Sequence, residues 1–258
     1  MMENSMSTPI TLLSLNMHCG LHGSFAHDLI LKRRPEIICL QEVQKPFAEQ
    51  LTRELGYDFQ FSLRAFNAPE RAGAGIIEEG VIIAWHPSFT LIKSSIHAYQ
   101  EEGGHVPLGL PTGPNDVQRT LLVAQFEHGG EVFRIGTTHF TWTPDGSASN
   151  LQRGDMQRML HTLKQYHDEI GIVFCGDFNA PRGGEIFQMM SDIYVDNLPP
   201  QIETTLDQVQ HRSPMNHRQH RAVDSIFSTK EYQVKNVEVV DGVSDHVALF
   251  AQVSNSVG

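Results

Sequence analysis

The chain has 258 residues, of which 40% are hydrophobic and 19% are charged, a composition typical of a globular protein. Its formal net charge of −11 disfavours non-specific binding to long nucleic acid, which needs clustered lysine and arginine. No apolar run reaches the ~18 residues of a membrane-spanning helix, and the polar N-terminus lacks the apolar core of a signal peptide.

The three cysteines are scattered along the chain and lie in or beside apolar runs. This number and spacing do not form a disulfide framework, so we expect free thiols in a reducing compartment. Together with the lack of a signal peptide or membrane span, this predicts a cytoplasmic protein, and we expect a monomer.

Apolar runs typical of strands alternate with helical patterns along the chain. The expected strands contain ITLLSLN, EIICLQEV, GVIIAWH, RTLLVAQF, EVFRIGTTHF, GIVFCGDFN, AVDSIFST, YQVKNVEVV and HVALFAQV. A helix is expected in SFAHDLILKRR with Ser24 as its N-cap, and another in PFAEQLTREL with Pro46 at its start. The longest helix is expected in SNLQRGDMQRMLHTLKQYHDE, with Ser149 as its N-cap.

A short turn separates two of these expected strands. His128, Gly129 and Gly130 stand between RTLLVAQF and EVFRIGTTHF, which predicts a hairpin and therefore antiparallel pairing. Strands mixed with helices and at least one hairpin favour an α/β or α+β fold with a sheet that is not purely parallel. We expect residues 1–9 to be a flexible segment and residues 10–254 to form a single domain.

Polar side chains stand at the ends of several expected strands. They are Asn16, Glu42, His139, Asp177, Asn179, Asp224, Asp245 and His246. Each alone has an ordinary explanation as a polar strand end, a buried histidine, an ion-pair partner or a turn residue. Together, on six separate strand ends, they favour a functional site.

The segment VFCGDFNAP raises the same choice locally. Strand alternation places Asp177 and Asn179 on one face of an extended segment, whereas a turn is the other interpretation because Pro181 follows. If the two share a face, both side chains point toward one site.

The ligand chemistry of the collected set points to a hard cation. Glu42, Asp177 and Asp245 offer carboxylate oxygens, and Asn16 and Asn179 add neutral oxygens. This set favours Mg²⁺, with Mn²⁺ as the alternative, over zinc, which prefers histidine and cysteine.

The remaining members are suited to catalysis. His139 and His246 offer imidazoles, and Asp224 can hold one of them in a single tautomer. A metal, a carboxylate that positions or deprotonates water and an imidazole that stabilises an oxyanion together suit water attack on phosphorus.

Five of these motifs occur in an order that resembles a known superfamily. LQEV, TTHF, GDFNAP, VDSIF and SDH are together similar to the endonuclease/exonuclease/phosphatase superfamily, and the resemblance extends from Ser14 to SDHVAL. It implies an α+β fold: a four-layer α/β/β/α sandwich with two mixed, largely antiparallel sheets packed face to face. It also implies a Mg²⁺-dependent hydrolase of phosphate esters, either a phosphodiesterase or nuclease or a phosphatase.

The resemblance assigns the metal site residue by residue. Glu42 is implied as the main metal ligand, assisted by Asn16 and Asp245. One branch of the superfamily has an acidic residue where this chain has His18. The choice between one metal and two therefore stays open.

The resemblance also assigns the catalytic roles. Asp177 is implied to orient or deprotonate the attacking water, and Asn179 to hold that water or the phosphate. His246, oriented by Asp224, is implied to contact the phosphoryl oxygens, and His139 to stabilise the transition state.

Several arginines are candidates for substrate binding. Arg119 opens a strand and either joins a structural ion pair or reaches the site. Arg218 and Arg221 either contact a substrate phosphate or lie in a solvated loop. The wider set of rim candidates is Arg64, Arg71, Arg182, Arg212, Arg218 and Arg221. So few cations predict a small or short single-stranded phosphate ester rather than long duplex DNA.

Two other functional classes are kept open. One is a non-catalytic binding module that retains the fold, and its signature is a broken catalytic set. The other is a zinc-dependent hydrolase that uses the histidines after Pro199, namely His211, His217 and His220. Nucleic acid, inositol phosphate and phospholipid all remain candidate substrates.

Overall fold

The computed structural model describes residues 8–21, 23–67, 75–100, 113–211 and 221–256. Its strands are β1 Ile10–Asn16, β2 Ile37–Gln44, β3 Asp58–Asn67, β4 Ile77–Trp85, β5 Thr90–Ala98, β6 Thr120–His128, β7 Glu131–His139, β8 Val173–Asp177, β9 Val195–Asp196, β10 Asp224–Ser228, β11 Tyr232–Val240 and β12 Ala248–Asn255. Its helices are α1 Gly23–Arg33, α2 Lys45–Leu55, α3 Asn150–Leu163 and α4 Glu185–Ser191, and single 3₁₀ turns cover His18–Gly20 and Lys164–Tyr166.

The strands form two six-stranded sheets with matching topology. The first sheet has the order β11-β12-β1-β2-β4-β3, and the second has the order β5-β6-β7-β8-β10-β9. Each contains one parallel pair, β1 with β2 and β7 with β8, and every other pairing is antiparallel. Because parallel strands end at the same edge, each sheet delivers two strand ends to one place.

Strand alternation divides the apolar side chains among three cores. Leu12 of β1 and Val173 of β8 are fully buried between the two sheets. Their neighbours Leu13 and Phe174 point the other way, against α1 and α2 on the first sheet and against α3 and α4 on the second. Each such burial stabilises the fold by ~1.5–3 kcal/mol. The predicted four-layer sandwich is confirmed.

The local signals were mostly correct. The hairpin is confirmed: Gly129 and Gly130 join β6 to β7 with φ of 60° and 83°, a conformation that favours glycine. Ser149 caps α3, since its hydroxyl accepts a hydrogen bond from the Gln152 amide at 3.1 Å. Pro46 lies in the first turn of α2. The expected Ser24 cap is wrong, because α1 begins at Gly23 and Ser24 lies inside it.

Among the described residues, no helix is long and apolar enough to cross a membrane. The ordered elements run from Ile10 to Asn255, and residues 1–7 of the expected flexible segment lie outside the described residues. The domain boundaries, the cytoplasmic location and the monomeric state stay predictions.

Candidate active site

A cavity of about 380 Å³ opens where the ends of the two parallel strand pairs meet. The predicted residues that line it are Glu42, His139, Asp177, Asn179, Asp245, His246, Arg119 and Arg221. Asn16 and Asp224 reach it through hydrogen bonds to lining side chains. Side chains from strand ends far apart in sequence therefore converge on one cavity.

Asp177 lies at the centre of the polar network. Its Oδ2 accepts a hydrogen bond from Asn16 Nδ2 at 3.0 Å and lies 3.5 Å from His139 Nε2 and 3.8 Å from His246 Nε2. Burial raises the pKa of Asp177 to about 7, and the negative Asp224 adds to this while His246 opposes it. A carboxyl group with a pKa near neutrality can both accept and release a proton at physiological pH.

Asp224 orients His246. Asp224 Oδ2 lies 2.8 Å from His246 Nδ1, and the same oxygen accepts a hydrogen bond from the Thr205 hydroxyl at 2.6 Å. Burial alone lowers the pKa of His246, but Asp224 and Asp177 outweigh it and raise that pKa well above its usual range. The two carboxylates therefore favour the protonated form of His246, whose Nε2 lies 3.8 Å from Asp177 Oδ2.

His139 is electrostatically the opposite of His246. Burial, together with the charges of Arg64 and Arg119, lowers the pKa of His139 well below its usual range. Its Nδ1 lies 3.5 Å from Glu42 Oε1, on the side of the ring away from Asp177. The surroundings of these two histidines thus move their pKa values in opposite directions.

Glu42 is kept ionised by two neighbours. Burial raises its pKa, but the Arg64 guanidinium, 3.9 Å away, and a hydrogen bond from Cys19 Sγ at 3.1 Å outweigh burial, and the pKa lies below its usual value. Burial and the negative charge of Glu42 raise the pKa of the Cys19 thiol, so the thiol stays protonated and donates. Arg64 also pairs with the buried Glu79.

Unusual backbone conformations concentrate around the cavity. The register of β2 against β4 shifts between Leu40 and Val43, and Glu42 within this irregularity has φ of 49°. Four of the six non-glycine residues with positive φ in the described chain lie here: His18, Cys19, Glu42 and Asn179. Such conformations cost roughly 1–3 kcal/mol each and persist where the surroundings enforce them, typically at functional sites.

The expectation that strand alternation aligns Asp177 with Asn179 is wrong. β8 ends at Asp177, and Asn179 has φ of 48°. The backbone amide of Asn179 donates to Asp177 Oδ1 at 2.8 Å, and its side-chain Nδ2 donates to the Phe140 carbonyl at 2.9 Å. A turn therefore brings both residues to the cavity, so the turn and the site are the same feature.

Asp245 lies among histidines. Its Oδ2 is 3.2 Å from His18 Nδ1, and one ligand atom each from His211, Asp245 and His246 lie within 4.8 Å of one another. The His211 and His246 rings meet edge to face, with centroids 5.9 Å apart. His217 and His220, the other histidines of that segment, lie outside the described residues.

The predicted substrate arginines have different surroundings. Arg119 lines the cavity but is 1% exposed, and it donates to the carbonyls of His139 and Pro114 and to Asn115 Oδ1, as a scaffold residue does. Burial lowers the pKa of Arg119 to about 10. Arg221 lines the cavity and donates to the Asp145 carbonyl at 2.8 Å.

The other rim candidates divide similarly. Arg64 lines the cavity. Arg182 is instead a structural residue, since it donates to the carbonyls of Leu198 and Pro199. Arg71, Arg212 and Arg218 lie outside the described residues.

Some lining residues had no assigned role in the sequence prediction. Cys19, beside Glu42, follows Asn16 closely in NMHCG, and Trp142 follows His139 by three positions. Proximity in sequence to a predicted strand end was the signal that could have identified both. Glu79, which is outside the lining set, had no such signal, although it pairs with Arg64 and has a ligand atom within 4.8 Å of those of Cys19 and Glu42.

The carboxylates and histidines of the cavity are candidate ligands for a divalent metal ion. Glu42 and Asp245 present carboxylates to the cavity, and Asn16 holds the adjacent Asp177. His139 Nδ1 is buried without a hydrogen-bond partner among the described residues, beside Glu42. Burial is the main cause of the raised pKa of Asp177, and the negative charges of Asp224 and Glu42 add to it.

Solved structures share this fold. An endonuclease/exonuclease/phosphatase from Bacteroides vulgatus is similar over 96% of this chain and all of its own, at a TM-score of 0.72 and 19% identity. The human nocturnin catalytic domain with bound sulfate covers 96% of this chain and 95% of its own, at a TM-score of 0.67 and 18% identity. A mannosyl-6-phosphatase from Bacteroides thetaiotaomicron covers 95% of this chain and 99% of its own, at a TM-score of 0.69 and 13% identity.

Sequence comparison identifies a relative and a family. A protein of Arabidopsis thaliana, named an uncharacterized calcium-binding protein, is 24% identical over 210 residues. That alignment covers 75% of this chain, which spans only 40% of the relative's length. The model of the Endonuclease/Exonuclease/phosphatase family matches residues 13–246. Because this match covers most of the chain and the fold agrees with it, the chain belongs to the endonuclease/exonuclease/phosphatase family.

Proposed function

We propose that this protein is a Mg²⁺-dependent hydrolase of phosphate esters. The observation that carries the proposal is the paired network around Asp177: Asn16 donates to it, and His246, held by Asp224, faces the same oxygen. A buried carboxyl group with a pKa of about 7 beside an imidazolium is an arrangement suited to moving protons and stabilising negative charge.

The metal site belongs to this proposal. Glu42 and Asp245, with Asn16, would hold the cation, and the family generally uses a divalent metal. When bound, Mg²⁺ neutralises phosphate charge and acts as a Lewis acid. Because Arg64 and Cys19 keep Glu42 ionised, the carboxylate is ready to bind without first losing a proton.

The protein groups divide the remaining work. Asp177 accepts the proton of the attacking water, and Asn16 fixes the carboxylate that does so. His246, oriented by Asp224, donates from Nε2 toward the phosphoryl oxygens and stabilises their developing charge. His139 supplies a neutral imidazole beside Asp177 Oδ2. The backbone amide of Asn179 donates to the other carboxylate oxygen, Oδ1.

The size and charge of the cavity favour a small substrate or a short single strand. Its volume of about 380 Å³ lies at the low end for small-molecule sites. Among the described residues, Arg64 and Arg221 are the guanidinium groups at its partly exposed wall. Two cations can hold a few phosphate oxygens, but they cannot follow a long duplex.

The test is an activity screen of the purified chain with and without Mg²⁺ and Mn²⁺. The substrates are phosphomonoesters, short single strands, abasic duplex, inositol phosphates and sphingomyelin, and the Asp177→Asn variant is the background control. We expect hydrolysis of a small or single-stranded ester that stops with EDTA and returns with Mg²⁺. Full activity after extensive dialysis against EDTA would contradict the proposal.

Zinc is the second candidate cofactor because His211, Asp245 and His246 bring ligand atoms within 4.8 Å. A zinc enzyme would take its activity from this group, whereas a Mg²⁺ enzyme would take it from Glu42. Comparing His211→Ala with Glu42→Gln under each metal separates the two. Activity that requires Zn²⁺ and His211 but tolerates Glu42→Gln would favour zinc.

A further inference from the structure

We propose that Trp142 is a stacking platform for the base of a nucleotide, so that the substrate is a nucleotide or the end of a short strand. This inference rests on the proposed function, since it places the nucleotide's phosphate beside Asp177 and His246. It adds the class of group that the rim of the cavity recognises.

Trp142 is an exposed aromatic residue in a polar cavity. Its exposed fraction is 38%, whereas His139, three positions earlier, is 5% exposed. Trp85, the other tryptophan of the chain, is 5% exposed and belongs to the core between the sheets. A tryptophan left partly open at the wall of a binding cavity offers a flat surface to a ligand ring.

The backbone of Trp142 is held in place. Asn115 Oδ1 accepts from the Trp142 amide at 3.0 Å, and Asn115 Nδ2 donates to the Trp142 carbonyl at 2.9 Å. Arg119 in turn donates to Asn115 Oδ1 at 3.2 Å and to the His139 carbonyl at 3.0 Å. The buried Arg119 therefore ties the rim and the catalytic end of β7 into one preorganised unit.

The position of Trp142 selects the base rather than the sugar. A group bonded directly to the phosphate lies among the buried residues around Asp177. Trp142 stands at most ~10 Å along the chain from His139 and at the exposed wall, which a base reaches from beyond its sugar. Pro144, Pro181 and Leu206 add apolar surface to the same cavity. An apolar wall suits the faces of a base better than it suits a second phosphate.

Binding without turnover tests the platform. In the Asp177→Asn background we titrate adenosine 5′-monophosphate and ribose 5-phosphate, and we follow tryptophan fluorescence and calorimetric affinity. We expect the nucleotide to quench emission and ribose 5-phosphate to bind without quenching. Trp142→Phe should abolish the quenching, since the buried Trp85 is shielded, but should retain most of the nucleotide affinity.

Truncating the Trp142 side chain measures how much the platform contributes to nucleotide affinity. Trp142→Ala should weaken nucleotide affinity on the order of tenfold and leave ribose 5-phosphate affinity unchanged. Phe25→Ala is the matched control, because Phe25 is 59% exposed on α1 and does not line the cavity. Melting temperatures of both variants near that of the parent confirm that the fold is intact.

The outcomes separate this inference from the proposed function. If neither compound nor inorganic phosphate binds and the screen finds no turnover, the proposed function fails. If both compounds bind equally and Trp142→Ala changes neither affinity, the platform is wrong while the function stands. If Trp142→Ala weakens both equally, the residue contacts a sugar and the base assignment is overturned.

Discussion

The two sheets have the same strand arrangement but deliver different carboxylates. In the first sheet, the parallel pair β1 and β2 ends at Asn16 and near Glu42. In the second, the parallel pair β7 and β8 ends at His139 and Asp177, which are register partners. Glu42 is partly exposed beside Arg64, and its pKa is lowered. Asp177 is 2% exposed, and its pKa is raised to about 7.

The two environments shift the pKa values of Glu42 and Asp177 in opposite directions within one cavity. Environments that move the pKa values of neighbouring carboxylates apart assign them separate roles. Here, the guanidinium of Arg64 beside Glu42 and the near-complete burial of Asp177 make the division. The fold places both carboxyl groups at the cavity, and the residues around each group set its pKa.

The largest expected effect comes from exchanging the two carboxylates for amides. Asp177→Asn should lower kcat by about 10²–10⁴-fold with Mn²⁺ affinity little changed, because the proton acceptor is lost. Glu42→Gln should weaken Mn²⁺ binding by more than the ~10–100-fold typical of losing a partner that only orients a ligand. Mn²⁺ binding by electron paramagnetic resonance, alongside kcat, checks both. Equal effects of both variants on metal affinity would erase the distinction between the sheets.

The next effect tests the pair formed by His246, which precedes β12 of the first sheet, and Asp224 of β10 in the second sheet. His246→Ala should cost about 10²–10⁴-fold in kcat, and Asp224→Ala should also be severely defective. The double variant should be little worse than the worse single one, since Asp224 acts by orienting His246. Steady-state kinetics of the four proteins measure this, and losses that multiply would show that the pair does not act as a unit.

A smaller effect should follow from removing the cation beside Glu42. Arg64→Gln raises the pKa of Glu42, because Arg64 is what lowers it against burial. Metal binding needs the ionised carboxylate, so the variant should lose Mn²⁺ at a higher pH on acidification than the parent. Binding curves between pH 4 and 8 show the shift. Arg53→Gln is the control, because Arg53 is exposed on α2. An unshifted binding curve for Arg64→Gln would show that Arg64 does not lower the pKa of Glu42.

The smallest effect concerns a carboxylate with a low pKa far from the cavity. A hydrogen bond from Arg134 lowers the pKa of Asp168 to about 2, with Nη1 and Oδ1 2.8 Å apart. This depressed pKa contributes stability above the ordinary pKa near 3.8, and the contribution is lost as pH falls toward 2. Asp168→Asn should cost about 0.5–1 kcal/mol at pH 7, because Asp168 is half exposed and solvent screens its interaction with the buried Arg134, and less at pH 3.

Urea unfolding of both proteins at the two pH values checks this, and phosphoesterase activity at pH 7 should be unchanged. Asp168 thus serves as the reference for Glu42. Both carboxylates have lowered pKa values, but only the one in the cavity should affect catalysis. A loss of activity in Asp168→Asn without a change of stability would contradict this.

Much of the fold was accessible from the sequence because its signals are local. Continuous apolar runs identified β1, β2 and β8, and the serine hydroxyl at position 149 marked the start of α3. The strands β3, β5 and β9 were missed. β5 lies at the edge of its sheet, and its side chains are mostly exposed, so Thr90–Ala98 lacks the continuous apolar run of a buried strand.

The candidate site was predictable in membership and less so in geometry. Strand-end position identified Asp177 and His246, but no sequence pattern reveals that Glu42 lies in a register irregularity or that Asn179 has positive φ. Both depend on contacts across the sheet and the turn. The structural use of Arg119 was equally hidden, since its hydrogen-bond partners are fixed only by the fold.

The pairing of β1 with β12 joins strands from the two ends of the described chain. Ile10 lies opposite Val253, so the first strand pairs with the last one. Contacts of such long sequence separation form late, because their loop closes at a large entropic cost. Asp245 and His246 immediately precede β12, so they enter the cavity with it. The candidate site is therefore complete only when the segment before β12 joins the residues at the ends of β1, β2, β7 and β8.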